Sequence, residues 1–388
     1  MADDDLPART CSVSAPLKPP LLEVGYNYTW PFNRYGTSIG PRDLGNDPPT
    51  GVNDATPVWA TTLPRNLAIL RDDLKITKVR MFLLSNAFNY GKRPIDPLDN
   101  GNFIFFAPTP AHPLFFSHFR TMLQIFKREG MQILPSLIDF GAFYPIGQAG
   151  GGRRSILTAQ RQTFISTVLQ PMLAVSNEPG LAETIFAWEV VNEPLWNVTG
   201  LPVRPHTSST GPDTTVAIMK TFIQDCLNAI EGAGFQSTVG HRRLADLSVL
   251  PTGTMPQFHY YALDAAGTGL LGIDDPDPIP TFSQLAQSPR TVNAFVGEFS
   301  ADKSGTDLLS NGPGRPWPEC NQRDLTVLDA SFERLKVLAR KGYKLAFVWP
   351  DRSDNTPETK DNDEIKLTDD ARSSIKRFTR GRFPGGIP

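Results

Sequence analysis

Eight short, mostly apolar runs recur along this chain, separated by segments whose apolar residues return at helical spacing. The runs lie at 21–26 (LLEVGY), 77–83 (TKVRMFL), 132–138 (QILPSLI), 186–191 (FAWEVV), 237–240, 257–261, 293–296 and 345–349. Helical patterns fill 63–73, 114–128, 159–176, 214–233, 281–286, 324–340 and 369–377. A strand buried on both faces reads as a continuous apolar run. Regular alternation of such strands with helices calls for parallel pairing through crossovers. The expectation is an α/β fold: one (β/α)8 TIM barrel spanning 1–388, with 1–18 as an irregular N-terminal extension and long loops at the C-terminal face. A doubly wound sheet is the rival. It would favour a glycine-rich phosphate turn after the first strand, whereas Gly25-Tyr26-Asn27-Tyr28 holds one glycine and two aromatics.

Composition agrees with a single large core, since 40% of the 388 residues are hydrophobic. Lysine and arginine total 38 against 40 acidic residues, for a net charge of −2. No basic field is available to hold a nucleic acid, so none is expected as a partner, and a neutral substrate fits better. No apolar run reaches the roughly 18 residues of a membrane span. The start, Met1-Ala2-Asp3-Asp4-Asp5, lacks the basic and apolar regions of a signal peptide, so the expected location is cytoplasmic, or the chain is a mature secreted form. Cys11, Cys226 and Cys320 have no metal-knuckle spacing. Cys226, on a helical pattern, reads as a buried apolar filler, and a Cys11–Cys320 bridge is left open. The 36 prolines gather in 41–57, 94–113, 202–212, 276–280 and 313–318, which read as loops, and the acidic run 351–364 reads as another.

In such a barrel, chemistry sits where strands end. The polar and aromatic residues at those ends are Asn27, Arg80, Asp139, Asn192, Glu193, His259, Tyr261, Glu298 and Trp349. Two are carboxylates that finish apolar strands: Glu193 in Trp188–Pro194 and Glu298 in Phe295–Phe299. Alternation places Glu189, Val191 and Glu193 on one face. A buried charge is costly without a partner; the plainer reading is that each glutamate pairs with an arginine such as Arg80. The fourth and seventh strands, however, lie on opposite sides of a small barrel, so their glutamates can face each other across its mouth. Glycoside cleavage needs such a pair, one group to protonate the leaving oxygen and one to attack or to activate water.

The Asn192-Glu193-Pro194 strand end resembles the acid/base strand of glycoside hydrolase clan A, and Gly297-Glu298-Phe299 resembles its nucleophile strand. The pattern is most similar to family five, the cellulase and mannanase group. In that family an arginine ends the second strand, as Arg80 does; a histidine and tyrosine follow the sixth, as His259 and Tyr261 do; a tryptophan ends the eighth, as Trp349 does. The resemblance implies retaining hydrolysis of β-glucoside- or β-mannoside-type bonds, in an oligo- or polysaccharide or a glycoconjugate, with Glu193 as acid/base and Glu298 as nucleophile. Arg80 and Tyr261 would hold Glu298 ionised, Asn192 would bond the sugar 2-hydroxyl, His259 would line the site, and Trp349 would form a floor under the sugar. Asn27, Asp139 and Trp196 join the candidates for substrate binding. The family's histidine after the third strand is missing, and Asp139-Phe140 stands there instead.

No metal and no cofactor are expected, because the remaining histidines show no paired spacing and there is no phosphate loop or Gly-x-Ser-x-Gly elbow. Aromatics such as Trp30, Tyr35, Phe105, Tyr144, Trp196 and Trp317 can stack on sugars or pack loops together. The partner expected is a carbohydrate. Two alternatives keep the same residues: transfer of the glycosyl group to an acceptor sugar, and a non-catalytic carbohydrate-binding barrel.

Overall fold

Val24, Val79, Ile133, Val190, Val239, Phe258, Val296 and Ala346 are all shut away from solvent at the middle of the strands, as the apolar runs require. In the computed structural model the described residues are 22–28, 60, 62–84, 113–140, 156–198, 214–260, 262–263, 270–272, 275–288, 291–301, 327–350, 365, 367 and 369–380. The strands are β1 (Glu23–Asn27), β2 (Lys78–Phe82), β3 (Gln132–Asp139), β4 (Trp188–Asn192), β5 (Ser237–His241), β6 (Gln257–His259), β10 (Phe295–Ser300) and β11 (Leu345–Trp349). They close as β1-β11-β10-β6-β5-β4-β3-β2, and every pairing in the ring is parallel. The expected TIM barrel is the fold of this chain.

Helices α1 (Thr62–Ala68), α2 (Pro113–Arg128), α3 (Arg161–Phe164), α4 (Gln170–Ser176), α5 (Val216–Gly232), α6 (Phe282–Leu285), α7 (Val327–Arg340) and α8 (Asp369–Thr379) connect the strands. Their local signals are legible: Thr215 caps α5 by accepting from the Ile218 amide, and Thr281 with Gln284 forms a capping box on α6. The expected helices at 63–73 and 159–176 each contain a π turn, Ile69–Asp73 and Ile165–Leu169. Cys226 is buried on α5 and free; Cys11, Cys320 and the acidic run lie outside the described residues. A small antiparallel sheet, β7 (Ala262–Leu263), β8 (Leu270–Gly272) and β9 (Asp275–Pro278), follows β6 and was not expected.

Two apolar clusters result. The larger lies between strands and helices and takes in Trp188, Phe119, Phe222 and Leu335. The smaller gathers Leu134, Ala187, Phe295, Leu345 and Phe347, with Phe186 and Met255 against it. These are residues from the starts or middles of β3, β10 and β11 and from just before β4, so they fill the N-terminal end of the barrel interior. The interior above them is polar.

Candidate active site

Strand geometry delivers the two glutamates in an unexpected way. Strict alternation would carry Val191 to the same face as Glu189, but Val191 packs in the outer core. The register between β4 and β5 shifts between Glu189 and Asn192, a bulge that turns both of these side chains onto Arg80. Glu193 then adopts φ 47° and ψ 50°, a left-handed conformation that non-glycine residues seldom take. That turn brings its carboxylate back over the barrel mouth. A second shift, between Val296 and Glu298 where β10 pairs β6, sits beside the other carboxylate. Side chains are excluded at both bulges: a β-carbon on Gly240 would lie 2.7 Å from Glu189 Oε1, and one on Gly297 would strike Gln257.

Arg80 is the hub of the polar layer. It is fully buried and donates from every N–H it has. Nε and Nη2 reach Glu189 at 2.5 and 2.7 Å, Nη1 reaches Asn27 at 2.8 Å and Glu298 at 2.6 Å, and Nη2 also reaches Asn192 at 2.8 Å. Of the two strand-end glutamates, the expected ion pair with Arg80 is formed by Glu298 and not by Glu193; the same guanidinium also pairs with Glu189, a partner the sequence did not point to. Burial works to raise the Glu189 carboxyl, but the Arg80 charge outweighs it and holds Glu189 below the usual carboxylate range.

Glu193 meets no arginine within hydrogen-bond distance among the described residues. Its Oε1 lies 2.7 Å from His259 Nδ1, and its Oε2 accepts from Trp196 Nε1 at 2.6 Å. His259 Nδ1 also lies 3.5 Å from Glu298 Oε2, so the imidazole spans the pair. One atom from each of Glu193, His259 and Glu298 falls within 4.8 Å of the others. That is close enough to suit a cation, but the Arg80 guanidinium already supplies a permanent positive charge against Glu298, and the trio reads as a proton-sharing set.

Two buried carboxylates this close resist ionising together. Burial, reinforced by Glu193, pushes the Glu298 carboxyl up to about 7 against the pull of His259 and Arg80. Burial acts on Glu193 too, but His259 and the Trp196 donor hold it below the ordinary range. The expected ionisation was the reverse, with the proton on Glu193. His259 pulls on both carboxyls; what separates them is that Glu193 also takes the His259 and Trp196 hydrogen bonds, while the Glu193 charge works against ionising Glu298.

The other expected residues divide by what they touch. Asn27 donates to the Gly297 and Val348 carbonyls at 3.1 and 3.3 Å, tying β1 to β11 and to β10 beyond it, and presents Oδ1 to Arg80. Asn192 donates to Asp139 Oδ1 at 3.0 Å, so the position lacking a histidine carries an anchor for Asn192 instead. Trp349 is partly exposed at the end of β11, edge-on to Phe82 at 6.2 Å, and the Arg80 guanidinium covers Phe82 at 4.8 Å. Trp196 serves Glu193 directly. Tyr261 lies outside the described residues, as do Trp30, Tyr35, Phe105, Tyr144 and Trp317.

Sequence reading missed His241, Arg242, Asp246 and Gln257. All are buried around β5 and β6, and their signal was faint because the fifth strand is short and weakly apolar. Burial pushes the His241 imidazole down to about 3, leaving it a neutral core group.

No protein-family model matches the chain, and no curated protein matches it. Solved structures do. A β-1,4-mannanase from the sea hare Aplysia kurodai is 15% identical, with 94% of each chain covered and a TM-score of 0.55. An endo-1,4-β-mannanase from Eisenia fetida is 19% identical over 91% of this chain and 92% of that one, at a TM-score of 0.52. A β-mannanase from the blue mussel Mytilus edulis is 17% identical over 91% and 93%, at 0.51. At these identities the likeness establishes the shared barrel.

Proposed function

We propose that this protein hydrolyses β-glycosidic bonds with retention of configuration, with Glu298 as nucleophile and Glu193 as acid/base. The observation that carries the reading is the carboxylate pair itself. Glu193, just past the end of β4, and Glu298, on β10, have oxygens within 4.8 Å of each other, in keeping with the roughly 5–5.5 Å separation of retaining enzymes and short of the roughly 6.5–9.5 Å that leaves room for water. The family-five resemblance of the strand ends and the likeness to three β-mannanase structures point the same way. They make β-1,4-mannan the first substrate to try, ahead of β-glucosides.

In the first step a Glu298 oxygen bonds to the anomeric carbon while the C–O bond to the leaving group breaks, and the Glu193 proton passes to the departing oxygen. In the second step Glu193 takes a proton from water, whose oxygen displaces Glu298 and restores the sugar's configuration. The shared proton must sit on Glu193 when attack begins. Positive charge developing at the anomeric carbon favours the anion at Glu298, and the leaving oxygen favours the proton at Glu193. His259 Nδ1, in reach of both carboxylates, gives the proton a path within the pair. Arg80 keeps Glu298 aimed, and Asn192, fixed between Arg80 and Asp139, faces the same mouth.

The test is hydrolysis of β-1,4-mannan oligosaccharides and of chromogenic β-mannosides and β-glucosides, with the first-formed anomer identified by proton NMR. The β-anomer is expected. An α-anomer formed first would contradict retention, and no hydrolysis of any β-glycoside would contradict the activity.

A further inference from the structure

A second buried cation stands behind Glu193. Arg242 follows β5, is 1% exposed, and lays its guanidinium over the Trp196 ring with Cζ 4.6 Å from the centroid. The same indole donates to Glu193 Oε2 at 2.6 Å. None of the three Arg242 side-chain nitrogens has a hydrogen-bond partner among the described residues. The nearest carboxylate, Asp246, stays 3.6 Å away and spends its other oxygen on Arg243 at 2.7 Å. Burying a charge so thinly compensated is costly, and a leucine or methionine would fill the space without that cost. Unspent donors on a buried arginine beside a reacting group point to a role in the chemistry.

We propose that Arg242 is a positioning residue that sets the proton affinity of Glu193 through the intervening Trp196. The proposal rests on the acid/base role given to Glu193 above. A cation over the ring face polarises the indole and strengthens its N–H as a donor, and its field favours the charged carboxylate directly. The groups facing Glu193 are His259 from β6, Glu298 from β10, Trp196 on the turn after β4, and Arg242 with Asp246 after β5; Arg80 and Glu189 stand one layer below, behind Asn192. Arg242 is the cation stacked on Trp196, while its neighbour Arg243 is paired with Asp246. Arg242 keeps Glu193 acidic enough to give up its proton in the first step and to remain a base in the second. Asp246 works against it.

The experiment compares pH profiles of kcat/KM on a β-1,4-mannan oligosaccharide for Arg242→Met, Arg242→Lys and Asp246→Asn. Methionine keeps the apolar stem over the ring and removes the charge, so the alkaline limb should move up by about one pH unit. Lysine should leave it near its original position. Asp246→Asn should move it down, which keeps the proposal testable if Arg242→Met fails to fold. On a dinitrophenyl β-mannoside, whose leaving group needs no proton, the variants should differ little. A parallel readout without substrate is carbon-13 NMR titration of the labelled Glu193 carboxyl, which should follow the same order. Activity that falls equally at every pH in Arg242→Met, or a limb that stays fixed in Asp246→Asn, overturns the proposal. Failure of the acid/base reading shows separately, as a Glu193→Ala variant that keeps the alkaline limb.

Discussion

The two ends of the barrel interior are built on opposite principles. At the N-terminal end Leu134, Ala187, Phe295, Leu345 and Phe347 pack against one another, with Phe186 and Met255 beside them. At the C-terminal end Arg80, Glu189, Gln257, His259, Glu193 and Glu298 are as deeply buried as the residues below, and ion pairs and hydrogen bonds join Arg80 to Glu189 and Glu298 and His259 to Glu193. The lower layer stabilises by removing apolar surface from water. The upper layer confines like charges that would separate if they were free to. The proposed function sits where the fold works against its own stability, and substitutions in the two layers should separate the two properties.

The largest effect expected is on catalysis from the upper layer. Glu298→Gln keeps the shape and the acceptor for Arg80 but cannot attack, and kcat should fall by about 10³-fold or more. The same change should raise stability at high pH. The folded protein binds its Glu298 proton up to about pH 7, while an unfolded glutamate releases it near pH 4.3. The folded state therefore holds more protons between those values, and its stability falls as pH rises through that window. Removing the group should make Glu298→Gln more stable than the parent at pH 8 by roughly 1–3 kcal/mol, with the gain gone by pH 4. Thermal melts at both pH values check this. A variant less stable than the parent at pH 8 would show that the upper layer is stabilising after all.

From the lower layer, Phe347→Ala should cost about 3–5 kcal/mol of stability and leave kcat of the surviving folded protein near the parent value. Denaturant unfolding with activity assays below the transition measures both. Loss of kcat without loss of stability would break the division between the layers. A smaller effect is expected at the boundary of the site. Asp139→Ala removes the acceptor that fixes Asn192, and about tenfold in kcat/KM should go with it, the value of one hydrogen bond to a charged group. Retention of full activity would mean Arg80 alone orients Asn192.

The lower layer was the more legible in sequence. Continuous apolar runs such as QILPSLI and LAFVW mark buried parallel strands whatever their neighbours are, so all eight strands could be placed to within a few residues. The glutamates were legible because a charge ending an apolar strand is anomalous. What the pattern could not carry was non-local or exceptional backbone: the β4–β5 register shift at Asn192, the left-handed Glu193, and the two- to four-residue strands β7 to β9 inside a glycine- and proline-containing stretch. Arg242 and Asp246 were invisible because a polar residue after a weak strand looks like any solvated turn. Asp139 was read both as a departure from the family pattern and as a candidate for substrate binding, and its hold on Asn192 could be seen only in the structure.

The assignment of the two glutamates is tested most directly by azide rescue. Glu193→Ala, assayed on a dinitrophenyl β-glycoside, should regain activity when azide is added, because azide needs no general base in the second step. The product should be the β-glycosyl azide. Glu298→Ala should instead give the α-azide, by direct attack through the space the nucleophile vacated. Proton NMR of the two products decides the matter: β from Glu193→Ala and α from Glu298→Ala is the outcome this account predicts, and the opposite pairing would contradict it.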